Sequence, residues 1–221
     1  MTSIPFDLVV FDLDGTLADT IPDVAPSLNH ALASLGRAPI PLDEVRDLVG
    51  HGSRDLVRRG LERSGPASDA LIDEGLELFT RYYLDNICVH TKAYDGAADV
   101  LDRLGAQGVR LAVCTNKLEA PTRSLLDALG WTSHFSAIVG GDTLPQRKPD
   151  PEHLRETIRR AGGGRAVMVG DSIVDVATAR AASVPVVAVG FGYADRPVEA
   201  LGADFVIDDY AELAEALTKL H

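Results

Sequence analysis

Residues 6–17, FDLVVFDLDGTL, run apolar for most of their length and then stop at two carboxylates, Asp12 and Asp14, with Gly15 and Thr16 behind them. A Val-, Leu- and Phe-rich run broken by Gly reads as a buried strand that delivers its last residues beyond the sheet. Alternation along a strand puts residues two apart on one face. Extended geometry carried as far as Asp14 therefore points both carboxylates at one site. Two close carboxylates repel, and one keeps its proton unless a cation lies between them. The chemistry open to such a pair is a divalent metal, or an acid/base couple with separated pKa values. A polar Asp-Gly turn closing an ordinary strand accounts for the same residues, so the decision lies further along the chain.

After this strand, residues 19–86 read as helix throughout. Val24, Leu28, Ala31, Leu32 and Leu35 recur at helical spacing, with Asp19 and Thr20 at capping positions, Pro22 in the first turn and Gly36 as the stop. Further helices are expected at 42–49, 54–63 and 68–86, with the loop Gly50-His51-Gly52-Ser53 between the first two. From residue 97 the texture changes. Short apolar runs at 109–114, 137–140, 166–169, 185–189 and 205–207 alternate with helical patterns at 97–104, 118–129, 152–161, 173–182 and 210–220. Such alternation implies right-handed crossovers and a parallel sheet covered on both faces. The expected architecture is an α/β, Rossmann-like core made of residues 1–18 and 87–221. An all-helical cap domain, 19–86, is inserted where the first strand ends and is placed to act as a lid.

The chain has 221 residues, enough for such a core with one insertion, and its 46% hydrophobic and 24% charged content is that of a globular protein. A formal net charge of −12 argues against nucleic acid, whose binding relies on Lys and Arg. It leaves room for a small phosphorylated ligand, whose site needs only a few local cations. Cys88 and Cys114 lack metal-type spacing and suit free thiols in a reducing cytosol. No signal peptide is read at the start of the chain, and no run approaches the ~20 apolar residues of a membrane span. A cytoplasmic monomer or homodimer is the expectation.

In open α/β sheets ligands bind beyond the carboxyl ends of the strands, so the residues that follow each strand matter most. The first ends at Asp12-Leu13-Asp14. The second expected core strand ends at Thr115-Asn116-Lys117. The third runs out into Gly140-Gly141-Asp142, with Arg147-Lys148-Pro149 close behind. The fourth ends at Gly170-Asp171-Ser172, with Asp175 one turn later. Singly these have bland readings: a strand-to-helix cap, a solvated lysine, helix-start carboxylates. Together they gather hard oxygens for a Mg²⁺ ion, and short donors with one lysine for phosphate oxygens, along a single edge.

On Asp12-Leu13-Asp14-Gly15-Thr16-Leu17, Thr115-Asn116, Lys148-Pro149 and Gly170-Asp171-Ser172-Ile173-Val174-Asp175, the chain resembles the haloacid dehalogenase superfamily in order and approximate spacing. The helical stretch 19–86 resembles the superfamily's smaller cap type, inserted after the first motif. The resemblance implies phosphoryl transfer through an aspartyl-phosphate. It makes Asp12 the nucleophile and Asp14 the acid and then the base. It makes Asp12, the Asp14 carbonyl and Asp171 the Mg²⁺ ligands, with Asp175 in support, and Thr115, Asn116 and Lys148 the phosphate-binding residues.

A carboxylate at position 14 resembles the phosphoester-cleaving branches, because enzymes that expel halide need no acid there. The β-phosphoglucomutase branch has an assisting histidine where this chain has Val24, which favours a phosphatase. Val49-Gly50-His51-Gly52, Arg81-Tyr82-Tyr83, Gly140-Gly141-Asp142, Gly190-Phe191-Gly192-Tyr193 and the ending 203–209 are similar to the phosphoglycolate phosphatase group. His51 and Tyr94-Asp95-Gly96 depart from that group's pattern. The substrate expected is thus 2-phosphoglycolate, with other small phosphoesters as alternatives. Gly50, His51, Gly52 and Arg54 of the cap loop are the candidate specificity residues, Arg54 and His51 as the cations for a second anionic group. A receiver-like signalling protein shares the acidic pair, hydroxyl and lysine, but is much shorter and has no helical insertion.

Overall fold

The computed structural model describes residues 4–194 and 196–220. In chain order the elements are β1 (Leu8–Phe11), β2 (Ala18–Asp19), α1 (Ile21–Ser34), α2 (Leu42–Arg46), α3 (Ser53–Glu62), α4 (Asp69–Asp85) and β3 (Lys92–Ala93). Then follow α5 (Ala97–Ala106), β4 (Arg110–Cys114), α6 (Glu119–Ala128), β5 (Phe135–Val139), α7 (Pro151–Arg160), β6 (Ala166–Gly170), α8 (Ile173–Ala182), β7 (Val186–Val189), β8 (Phe205–Ile207) and α9 (Leu213–Lys219). Short 3₁₀ turns lie at Thr132–His134, Val198–Leu201 and Tyr210–Glu212.

All four residues of β1 are apolar and buried, so the strand has no face to give to water and must run through the middle of a covered sheet. It does: the order is β5-β4-β1-β6-β7-β8, every pairing parallel. Period-two alternation sorts its side chains. Val9 and Phe11 join the cluster of Val113, Val169, Leu101, Leu125 and Leu217 on one face. Leu8 and Val10 join Ala112, Met168, Leu154 and Ala179 on the other. Each fully buried side chain of this kind contributes about 1.5–3 kcal/mol. Register then places the chemistry: Phe11 lies opposite Val113 on β4 and Val169 on β6. Three strands therefore finish nearly level, and the residues beyond them emerge at one edge.

Helices α1 to α4 form a cluster of their own from Ile21, Leu28, Leu32, Val57, Leu61, Phe79 and Tyr83, joined from the sheet side by Tyr193. Between 19 and 86 the sequence reads as helix alone, but Ala18–Asp19 forms a two-residue strand antiparallel to Lys92–Ala93, where the chain leaves and re-enters the sheet region. Two residues are too few for alternation to register. Helix α2 stops at Arg46, short of residue 49, the chain turning on the Leu48 N–H to Val45 carbonyl bond. The closing segment opens as a 3₁₀ turn before α9. No helix among the described residues is long and apolar enough to cross a membrane.

Candidate active site

Beyond β1 the backbone turns back sharply on the Leu13 carbonyl, which accepts hydrogen bonds from the N–H groups of Thr16, Leu17 and Ala18. Gly15 makes the turn at φ +81, and a Cβ there would lie 2.3 Å from Asp171 Oδ2. Asp12 Oδ1 accepts from the Leu13 N–H at 2.7 Å, while Oδ2 lies 3.0 Å from Lys148 Nζ. Lys148 comes from the loop before α7. Its ammonium also donates to Asp175 Oδ1 at 2.6 Å, and the side chain is 1% exposed.

Asp171 follows β6. Its Oδ1 accepts from Thr16 Oγ1 at 3.0 Å and its Oδ2 from the Tyr193 N–H at 2.7 Å. Asp175 closes a capping box on α8, Oδ2 accepting from the Ser172 N–H and Oγ. One carboxylate oxygen from each of Asp12, Asp171 and Asp175 lies within 4.8 Å of the others. Three buried carboxylates against one lysine leave an excess of negative charge. Burial, with Asp175 and Asp14 adding to it against Lys148, pushes the Asp12 carboxyl up to about 7. Burial and then repulsion from Asp175 and Asp12 hold Asp171 well above the usual carboxylate range. A hard divalent cation relieves both penalties at once, so the donor set fits a metal such as Mg²⁺. Asp175 has both oxygens engaged already and braces the group.

Thr115 and Asn116 follow β4, both buried. The Asn116 side-chain amide donates to the Gly50 carbonyl at 3.0 Å and the Lys148 carbonyl at 3.1 Å, tying the helical block to the sheet edge. Asp14 turns away from the carboxylate cluster. Thr20 Oγ1 donates to its Oδ1 at 2.6 Å, and Lys117 Nζ lies 2.9 and 3.2 Å from its two oxygens. Thr20 stands at the N-cap of α1 without capping it, because Asp14 takes its hydroxyl. A cavity of about 50 Å³ joins these groups, lined by Asp12, Asp14, Thr115, Lys117 and Asp171 from the sheet side and roofed by Val24, Val49, Leu56 and Phe79.

A haloacid dehalogenase-like hydrolase model matches residues 9–189. The chain belongs to that family. It is 46% identical over 221 residues, covering 98% of this chain and 95% of its own, to the phosphoglycolate phosphatase of Agrobacterium fabrum. A second, from Rhodospirillum rubrum, is 44% identical over 216 residues, covering 95% and 90%. The crystal structure described as a predicted phosphoglycolate phosphatase from Haemophilus somnus superposes with a TM-score of 0.90 at 30% identity, covering 96% of this chain and 97% of that one. This hydrolase is a phosphatase.

Not all the cap-loop candidates reach the phosphatase's cavity. Gly50 and Gly52 line it, at φ +112 and +90, and a Cβ on Gly52 would stand 3.0 Å from the Asn116 carbonyl oxygen. His51 instead lines a separate open cleft with Arg58, Arg59 and Arg147. Arg54 is bound at the outer surface to Asp69 and Asp73, at 3.4 and 2.9 Å, and does not line the cavity. Conversely, sequence reasoning assigned nothing to Lys117, Thr16 or Tyr193. Lys117 adjoins Thr115-Asn116, and that adjacency was the one available signal. Tyr193 ends the stretch Gly190-Phe191-Gly192-Tyr193, but nothing in that stretch tells that its hydroxyl accepts from the Thr20 N–H at 2.6 Å and donates to Asp19 at 2.7 Å.

Proposed function

We propose that this phosphatase hydrolyses 2-phosphoglycolate to glycolate and phosphate, Mg²⁺-dependently, through an acyl phosphate on Asp12. The observation that carries the reading is the carboxylate of Asp12 facing Lys148 at 3.0 Å within a buried acidic group, with a second carboxylate, Asp14, on the same cavity. An Asp12 oxygen attacks phosphorus as the ester P–O bond breaks. Asp14 gives its proton to the departing oxygen, because an alkoxide leaves poorly at neutral pH. In the second half Asp14 takes a proton from water as that water attacks the phospho-aspartate, and Asp12 and phosphate are released.

Lys148 offsets the repulsion between carboxylate and phosphate, and the Thr115 hydroxyl and Asn116 backbone N–H donate to phosphoryl oxygens. Asp12, Asp171 and the Asp14 carbonyl would hold Mg²⁺, supported by Asp175. When bound, the ion neutralises charge shared by nucleophile and phosphate. The helical block 19–86 acts as a cap whose closure keeps water out during the first half, its hinges near 17–20 and 84–96. The names of the relatives support the substrate, and so does a cavity with room for a few carbons. Val24, an apolar roof residue, supports a hydrolase over a mutase needing a base there.

Phosphate release from 2-phosphoglycolate, sugar phosphates, nucleoside monophosphates and pyrophosphate, with Mg²⁺ and with chelator, tests this. The expectation is highest kcat/KM on 2-phosphoglycolate and none with chelator. A sugar phosphate turned over better would displace the substrate. Trapping labelled phosphate on wild type but not on Asp12→Asn tests the intermediate.

A further inference from the structure

We propose that Lys117 forms a subsite for a second anionic group, selecting phosphomonoesters whose alcohol carries a carboxylate next to the ester carbon. This rests on the reading that Asp12 takes the phosphoryl group and Asp14 meets the leaving oxygen. Among the described residues lining the cavity, Lys117 alone bears a positive charge. Lys148 is committed to Asp12 and Asp175, Arg54 to Asp69 and Asp73, and His51 faces another cleft.

Position follows from the partner. Lys117 Nζ sits 2.9 and 3.2 Å from the oxygens of Asp14, so whatever hangs from the oxygen that Asp14 protonates comes to lie against Lys117. Asp14 accepts from at most two of the three N–H groups of the ammonium, which leaves a donor for another anion. The Tyr83 ring, 4.4 Å from Nζ, holds the ammonium in place from one side through its electron-rich face. Around it Val24, Val49, Leu56 and Phe79 are apolar, and what the helical side adds besides is neutral: the Ser53 hydroxyl and the backbone of Gly50 and Gly52. A carboxylate there without Lys117 is a buried charge with no counter-ion, and a neutral alkyl group leaves Lys117 with nothing further to bind.

The test compares kcat/KM of wild type and Lys117→Gln, with saturating Mg²⁺, on 2-phosphoglycolate, ethyl phosphate and 2-aminoethyl phosphate. Wild type should prefer carboxylate to methyl to ammonium. In Lys117→Gln the ratio of 2-phosphoglycolate to ethyl phosphate should fall about 10- to 100-fold, mainly through KM. Equal losses on both compounds would make Lys117 a support for Asp14 alone and overturn the inference. A variant that keeps the wild-type preference also overturns it, leaving the substrate assignment standing. A wild type indifferent to the carboxylate overturns the substrate assignment itself. Should Lys117→Gln fail to fold, wild-type crystals with Mg²⁺, orthovanadate and glycolate decide. The glycolate carboxylate should lie about 3 Å from Lys117 Nζ; a carboxylate bound elsewhere refutes the subsite.

Discussion

At the scale of single residues, Asp12 and Lys148 hold one another in states neither would keep alone. On the proposed mechanism Asp12→Asn removes the nucleophile while keeping shape, so turnover should fall by more than about 10⁴-fold with the circular dichroism spectrum unchanged. Its effect on stability has a definite sign. The carboxyl sits at about 7 in the folded chain against an ordinary 3.8. Between those values the folded state keeps a proton that the unfolded state has released. The stability this contributes is complete below 3.8 and is lost as pH rises toward 7. Relative to Asp12→Asn, wild type in chelator should therefore lose melting temperature from pH 4 to 7, and Mg²⁺ should close the gap. A gap that is flat with pH would contradict the burial of Asp12. Lys148→Met strips the one ammonium from three buried carboxylates and should cost about 3–5 kcal/mol in urea unfolding, with part recovered in Mg²⁺. Legibility at this scale divides by cause. Asp12, Asp14, Thr115, Asn116, Asp171 and Asp175 could be read because each follows a strand or stands a turn from one that does, and Lys148 because it lies in the loop that leads from the β5 end into α7. Lys117 could not, since burial of a lysine depends on what packs over it. Arg54 was misplaced because a helix-start arginine finds its carboxylates, Asp69 and Asp73, on a neighbouring helix that spacing along its own chain does not reveal.

Among the elements, Gly192 beyond β7 and Gly105 inside α5 should respond to the same change in opposite ways. A Cβ on Gly192 would lie 2.3 Å from Asp171 Cβ and 2.4 Å from the Gly15 carbonyl oxygen. Gly192→Ala must push the loop after β7 off Asp171, lowering melting temperature and activity together. Gly105 lies in α5 with nothing within 4 Å of the corresponding position, so Gly105→Ala should gain about 0.5–1 kcal/mol with kinetics unchanged. Thermal melts and kcat of the two variants check the contrast. The long elements were legible for an equally local reason: β1, β6 and β7 are unbroken apolar runs, β4 is one after Arg110, and glycines follow α5, α6 and α7. β2 and β3 were not, because their pairing joins Ala18 to Ala93 across an entire helical block. Periodicity sees only neighbours in sequence, and a two-residue strand is defined by a partner far along the chain.

For the whole molecule, polar tethers between the helical cluster and the rest include the Asn116 amide on Gly50, the Thr20 hydroxyl on Asp14, the Asp23 carboxylate on the His90 and Thr91 N–H groups, and the Tyr193 hydroxyl on Thr20 and Asp19. A cap that closes over substrate should slow amide hydrogen exchange at 17–21 and 49–53 when Mg²⁺ and a vanadate–glycolate pair are added, and leave the centre of α8 as it was. Uniform slowing throughout would mean global stabilisation instead of closure. Tyr193→Phe, which keeps the ring and loses the hydroxyl, should change kcat and KM together.

Tyr193 has one more consequence. Its main chain steadies Asp171 while its phenol holds the first turn of α1, so the buried acidic group and the root of the helical block share a single residue that follows β7. Grafting the helices of a relative onto this scaffold by exchanging one contiguous block would leave that root without its anchor. A working chimera must import the loop after β7 along with the helices, so the unit to exchange is discontinuous in sequence.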